Sequence, residues 1–199
     1  MASQASQSDP TRIPPAGRRV VVAVTGGIAA YKSCTLVSRL AQAGAEVTVL
    51  MTPSATKFVA ALTFQALSGR PVYTSPWEHV ESSDPQHISL AKRADLAIVA
   101  PCTMDCLARL VHGHADDIVT LVLSAIDRTR TPVLLAPSMN SDMWSQPATQ
   151  RNLAAAKADG YEVIDPVEGW QACRTVGTGR MAEPEELLAR VTARLAPAR

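Results

Sequence analysis

A chain of 199 residues is long enough for one domain with a sizeable apolar core and short for two. Hydrophobic residues make up 47% and charged residues 19%, an ordinary globular composition that excludes a disordered chain. The formal net charge of +1, with both signs interspersed, and an aromatic content of 4% give no electrostatic or stacking basis for binding nucleic acid or an anionic membrane.

Taken in chain order, residues 1–17 are polar, carry Ser, Gln and Pro, and lack the apolar stretch of a secretory signal. They are expected to be a disordered lead-in to a single domain over 18–199. Short apolar runs at 20–24, 46–51, 96–100, 132–136 and 161–164 are continuous in Val, Ile, Leu and Ala, as in strands covered on both faces. Helix-compatible sequence separates them at 28–43, 60–68, 87–94, 104–112, 117–126, 148–159 and 183–195. Gly44 and Gly160 fall between a helix and a strand, where a C-terminal cap belongs. The alternation predicts an α/β fold: a doubly wound, Rossmann-like (flavodoxin-like) parallel sheet with helices on both faces. Residues 73–86 read as a surface loop that delivers His87 to a helix start. No apolar run approaches the roughly 20 residues a membrane-spanning helix needs.

The four cysteines, Cys34, Cys102, Cys106 and Cys173, show no zinc-ribbon spacing, so free thiols in a reducing cytoplasm and no metal are expected. Doubly wound sheets bind ligands beyond the carboxyl ends of their strands. Those ends carry Thr25-Gly26-Gly27-Ile28, Thr52-Pro53-Ser54, Pro101-Cys102-Thr103-Met104-Asp105 and Pro137-Ser138-Met139-Asn140. Glycines that open a helix let backbone amides approach an anion, although a tight βα turn asks for glycine too. The hydroxyls of Thr52, Ser54 and Thr103 suit a phosphate or simply a helix cap. Three such turns on one sheet edge favour a phosphorylated ligand, and the lack of a dinucleotide fingerprint favours a mononucleotide. His87 is a candidate base. Asn140 either caps a helix or offers its N–H donors to a carboxylate. Cys173, in the glycine-containing stretch 169–181, is a candidate for acid–base or redox chemistry. His112 and His114 read as structural or solvated.

Six motifs occur in order. They are Val24-Thr25-Gly26-Gly27-Ile28-Ala29-Ala30-Tyr31-Lys32; Leu62-Thr63-Phe64-Gln65-Ala66-Leu67-Ser68-Gly69; His87-Ile88-Ser89-Leu90-Ala91; Ala100-Pro101-Cys102-Thr103-Met104-Asp105; Pro137-Ser138-Met139-Asn140-Ser141-Asp142-Met143-Trp144; and Ala172-Cys173-Arg174 leading to Gly177-Thr178-Gly179-Arg180-Met181-Ala182-Glu183-Pro184. The series, over about residues 18–195, resembles the homo-oligomeric flavin-containing cysteine decarboxylases, and within them the branch acting on phosphopantothenoylcysteine. The resemblance implies FMN held by Gly26, Gly27, Ile28, Thr52, Ser54, Thr103, Met104, Asp105, Cys106 and Ser138. It implies His87 as base, Asn140 with Met143 at the substrate, Cys173 as acid, and a trimer or a dodecamer of four trimers with FMN between subunits. The implied reaction is a carboxy-lyase one in coenzyme A biosynthesis. Flavin oxidises the cysteine thiol of 4'-phosphopantothenoylcysteine, carbon dioxide leaves, and the enethiol is reduced to 4'-phosphopantetheine. Peptide-cysteine decarboxylases of the family lack the cysteine at 173 and stop at the enethiol.

The sequence departs from the family pattern at Ser138, Asp105, Asp116 and Arg174, where Ala, Asn, Asn and Gly are usual. Two other readings stay open: a decarboxylase of a peptidyl cysteine or another thiol acid, and a flavin-binding regulatory subunit. The chain stops at Arg199, so the ligase domain of bacterial relatives is not expected.

Overall fold

The computed structural model describes residues 15–78 and 85–196. Most of the expected lead-in, and residues 79–84 of the expected loop, lie outside the described residues. The elements in order are β1 Arg19–Val24, α1 Ala30–Gln42, β2 Glu46–Met51, a 3-10 turn Ala55–Lys57, α2 Ala61–Ser68, β3 Val72–Tyr73, α3 Gln86–Arg93, β4 Leu96–Cys102 and α4 Met104–His112. They continue with α5 Ile118–Ala125, β5 Val133–Pro137, α6 Ser141–Ser145, α7 Pro147–Ala158, β6 Glu162–Val163, β7 Val167–Trp170, β8 Val176–Arg180 and α8 Pro184–Leu195.

Six strands form one parallel sheet in the order β3-β2-β1-β4-β5-β6. Of the doubly wound arrangements, this is the Rossmann order. The chain runs outward from β1 to β3, then returns to lay β4 on the other side of β1. The switch point therefore lies between β1 and β4.

The continuous apolar runs explain the layers. Every residue of β4 is buried, and all of β1 after Arg19. Val20, Val22 and Val24 face a cluster built by α1, α2 and α8, with Leu36, Leu40, Phe64, Leu187 and Val191. Val21 and Ala23 face the opposite cluster of α3, α4, α5 and α7, with Leu90, Leu107, Leu123 and Leu153. Each fully buried aliphatic contributes roughly 1.5–3 kcal/mol, so the central strands are the best-anchored part of the fold. Gly44 and Gly160 have left-handed φ of 83° and 88°, as expected of the caps they form.

Besides the 3-10 turn, four elements went unanticipated: β3, α6, β7 and β8. Tyr73 opened the expected loop, yet it pairs with Leu50 in the two-residue edge strand β3. The five-residue α6 buries none of its residues. The glycine-containing stretch 169–181 is largely an antiparallel hairpin in which Trp170 pairs with Val176. Ladder bonds, not apolar burial, hold that hairpin, so its residues lack the alternation of a core strand.

Candidate active site

The carboxyl ends of β1, β2, β4 and β5 open into one cavity of about 980 Å³. Side-chain bonds tie its floor across the switch point. The buried Thr25 hydroxyl donates to the carbonyl of Pro101 at 2.7 Å and accepts from the amide of Thr103 at 3.1 Å. The end of β1 is thereby joined to the β4 turn. Gly26 packs so tightly on the β2 turn that a Cβ there would stand 2.3 Å from Ser54 Cβ. Close approach, and not an unusual φ, makes this position a glycine.

Both readings of the hydroxyl turns prove compatible. Thr103 Oγ1 caps α4 by accepting from the amide of Cys106 at 3.3 Å. Thr52 Oγ1 accepts from the amide of Ala55 at 3.2 Å. Both residues nevertheless line the cavity, together with Gly26, Gly27, Ile28, Ser54, Met104, Asp105 and Cys106. No side chain caps the N-terminus of the 13-residue α1, which opens directly from these turns. Its positive end makes the floor favourable to an anion.

Ser138, Asn140, Met143 and Cys173 line the rim of the same cavity. Asn140 does two jobs at once. Its Oδ1 caps α6 by accepting from the amide of Asp142 at 2.8 Å. That contact fixes which end of the carboxamide is nitrogen, and Nδ2 then points to Cys173 Sγ at 3.2 Å. The Cys173 thiol is exposed, and its pKa is lowered by the hydrogen bond with the Thr175 hydroxyl at 3.0 Å and by the Asn140 donor. Cys106 behaves oppositely. Its hydrogen bond with Cys102 and its burial push its pKa well up, so it is packing and not a nucleophile.

Charges on the walls are largely compensated. Lys32, 6% exposed, gives its ammonium to Glu183 at 3.0 Å and to the Met181 carbonyl at 3.3 Å. Glu183 also accepts from Arg180. Across the cavity, Arg109 bridges Asp105 and Asp116, two of the positions that depart from the family pattern. The guanidinium offsets carboxylates that would otherwise repel an anionic ligand.

His87 does not join this constellation. It sits half-buried in the first turn of α3, as expected, but outside the lining of this chain's cavity. Thr25, Lys32, Gln171, Thr175 and Glu183 were not among the candidates. Lys32 and Glu183 stand inside the quoted motifs and Thr25 opens one of the turns, which was the available signal. Gln171 gave none.

The Flavoprotein family model matches residues 10–196. The chain is 48% identical over 171 residues to the coenzyme A biosynthesis bifunctional protein CoaBC of Bacillus subtilis, covering 86% of this chain and 41% of that protein. The same protein of Mycolicibacterium smegmatis is 46% identical over 172 residues, covering 86% and 40%. The chain thus spans about two fifths of the length of these curated relatives. Among solved structures, a mutant PPC decarboxylase complexed with pantothenoylaminoethenethiol superposes with a TM-score of 0.78 at 28% identity, covering 88% of this chain and 97% of that one. The FMN-dependent cysteine decarboxylase SpaF gives 0.78 at 26% identity, covering 92% and 99%. A family match over nearly the whole sequence shows that this chain belongs to the Flavoprotein family.

Proposed function

We propose that the protein is an FMN-dependent decarboxylase of 4'-phosphopantothenoylcysteine, a carboxy-lyase of coenzyme A biosynthesis that yields 4'-phosphopantetheine. The observation that carries this reading is the rim pair: a carboxamide donor 3.2 Å from an exposed thiol, over a floor suited to an anion. The floor fits a flavin mononucleotide. The uncapped, positive end of α1 opens on the cavity among turns rich in glycine and hydroxyl residues. Gly26, Gly27, Ile28, Thr52 and Ser54 would hold the phosphate end, and the turn Thr103, Met104, Asp105 and Cys106, with Ser138, the remainder.

FMN, when bound, would supply the electron chemistry, a hydride acceptor before carbon dioxide leaves and a hydride donor afterwards. The chain's own residues orient the substrate and move protons. Asn140 Nδ2 holds the substrate carboxylate, and Met143, 43% exposed, packs against it. Loss of carbon dioxide leaves the electron pair of the broken C–C bond in a C=C bond, with the charge on sulfur. Cys173 then protonates the former α-carbon. The resulting thiolate keeps its bonds to Asn140 and Thr175.

His87 serves as the base, and its place outside this chain's cavity supports a site completed by a neighbouring copy. Exposed Ile28, Tyr31, Phe58 and Leu62, on the α1 and α2 side, supply apolar surface for that contact. The assembly is a trimer, or a dodecamer of four trimers, working in the cytoplasm, where its cysteines stay reduced.

Mass spectrometry of the product from phosphopantothenoylcysteine tests the reading. Wild type should release the saturated thiol, lighter than substrate by one carbon dioxide, whereas Cys173→Ser should stall at the enethiol, two hydrogens lighter still. Flavin-loaded wild type inert on this substrate would sink the substrate assignment. An enethiol from wild type would point to a peptidyl-cysteine type of decarboxylase. Mixing two variants that each fail to make the saturated thiol, His87→Ala and Cys173→Ser, tests the shared site: random reassembly should restore that product at about a quarter of the sites if His87 acts in trans, and at none otherwise.

A further inference from the structure

Between the two catalytic candidates of the rim stands a buried side chain that the chemistry above does not use. Gln171 lies at the end of β7 and is 7% exposed. Its Nε2 donates to the carbonyls of Gly177 at 3.2 Å and Thr178 at 3.3 Å, both in β8. Its Oε1 accepts from the amide of Ser141 at 3.1 Å, at the start of α6. Two donors facing carbonyls and an acceptor facing an amide N–H leave one orientation for the group. The same Oε1 faces Asn140 Nδ2 at 3.4 Å and Cys173 Sγ at 3.6 Å.

Two separate pieces thus meet on one carboxamide. The hairpin carries Cys173 in its turn, and α6 carries Asn140 at its cap, 33 residues away in sequence. α6 buries no residue, so apolar packing does little to set it against the hairpin. Backbone contact between them includes the Met139 amide donating to the Gly179 carbonyl at 2.9 Å. That bond fixes the strand but not the two side chains. Gln171 reaches both.

We propose that Gln171 is the positioning residue of the closing proton transfer, its carboxamide setting the Asn140 donor and the Cys173 thiol side by side. It acts through its two neighbours, Asn140 and Cys173. The inference rests on the reading of Asn140 and Cys173 given above. In the step it serves, the S–H bond of Cys173 breaks, a C–H bond forms at the former α-carbon, and the S–H electron pair stays on sulfur. Displacing the thiol slows that protonation and lets the enethiol escape before it is reduced. Displacing Asn140 weakens the hold on the substrate carboxylate.

The test compares wild type, Gln171→Met and Gln171→Leu, each as the flavin-loaded assembled enzyme. Gln171→Met keeps the unbranched length of the buried stem without its polar head. The share of enethiol in the product should rise about tenfold, with KM for phosphopantothenoylcysteine raised several-fold, as expected when reacting groups lose their alignment. A second readout needs no turnover. Iodoacetamide labelling of Cys173, followed across pH by peptide mass spectrometry, should reach half-maximum at higher pH in both variants, because the Asn140 donor that favours the thiolate is no longer aimed at it.

A purely structural role would lower the yield of folded enzyme and leave product ratio and labelling midpoint unmoved. That result overturns the proposal, as does failure of both variants to retain FMN. Cys173→Ser separates this outcome from failure of the underlying reading. If that variant still makes the saturated thiol, the acid assignment itself is wrong. If it stalls while Gln171→Met does not, only the role of Gln171 is lost.

Discussion

The floor and the rim of the cavity are built by different physics. The floor stands on strands whose residues are wholly buried, and its turns are locked by close contacts such as Gly26 on Ser54. The rim is a hairpin with Trp170 63% and Val176 65% exposed, joined to an unburied α6 through side-chain hydrogen bonds. Apolar burial is worth kilocalories per residue, whereas a net hydrogen bond is worth about 1 kcal/mol. The floor is therefore suited to holding a cofactor permanently. The rim is suited to handling a substrate that must enter and leave, since easily opened regions are those with few buried apolar contacts. Changes on the floor should reveal themselves in flavin content, and changes on the rim in products and titration.

The largest effect should come from Gly26→Ala. The added Cβ meets the backbone and Cβ of Ser54, so the two turns must separate. Overpacking of this kind costs about 1–3 kcal/mol. The sheet should survive on its two apolar clusters, but flavin retention, read from the visible absorbance of purified protein, should fall by about tenfold, the factor that 1.4 kcal/mol represents. Full flavin content in this variant would show that the floor yields as readily as the rim and break the contrast.

The same contrast governs how much was legible in the sequence. Buried strands such as 96–102 declare themselves by continuous apolar residues, and the turns after them by Gly26 and the hydroxyls of Thr52, Ser54 and Thr103. β3 was not legible because a two-residue edge strand has no period to read. The hairpin hid behind its glycines. Gly179 is there because a Cβ would meet the Met139 carbonyl oxygen at 2.3 Å, a tertiary constraint that reads locally as a flexible loop. Gln171 could not be found at all, since the Asn140 and Ser141 groups it meets lie 31 and 30 residues upstream and nothing nearby hints at them. His87 was placed at a helix start, but its position outside this chain's cavity is a property of the whole fold and not of local sequence.

A smaller effect, confined to the rim, should follow Thr175→Val. The Thr175 hydroxyl, 3.0 Å from Cys173 Sγ, is the first cause of the lowered thiol pKa. Because the native bonds favour the thiolate, removing one moves the titration toward the ordinary thiol value, which is upward. Labelling of Cys173 should therefore need higher pH to reach half-maximum, while flavin content stays that of wild type. A changed flavin content would mean that the hairpin also supports the floor, and the division drawn above would need redrawing.

The smallest effect concerns Arg174, the departure from the glycine usual after the family's cysteine. Its φ is 66°, and among the described residues it is the non-glycine in the left-handed region. The turn requires it: the Arg174 amide donates to the Gln171 carbonyl at 2.9 Å, and the Gln171 amide to the Thr175 carbonyl at 2.8 Å, closing the hairpin over a tight loop. Left-handed backbone costs an L-residue roughly 1–2 kcal/mol, part of which glycine gives back through its freer unfolded chain. Arg174→Gly should thus stabilise the protein by about 0.5–1 kcal/mol, raising Tm by about 1–4 °C for a domain of this size. Flavin content and product identity should not change, because neither Gln171 nor Cys173 loses a partner. A lower Tm would instead mean that the Arg174 side chain itself holds the hairpin.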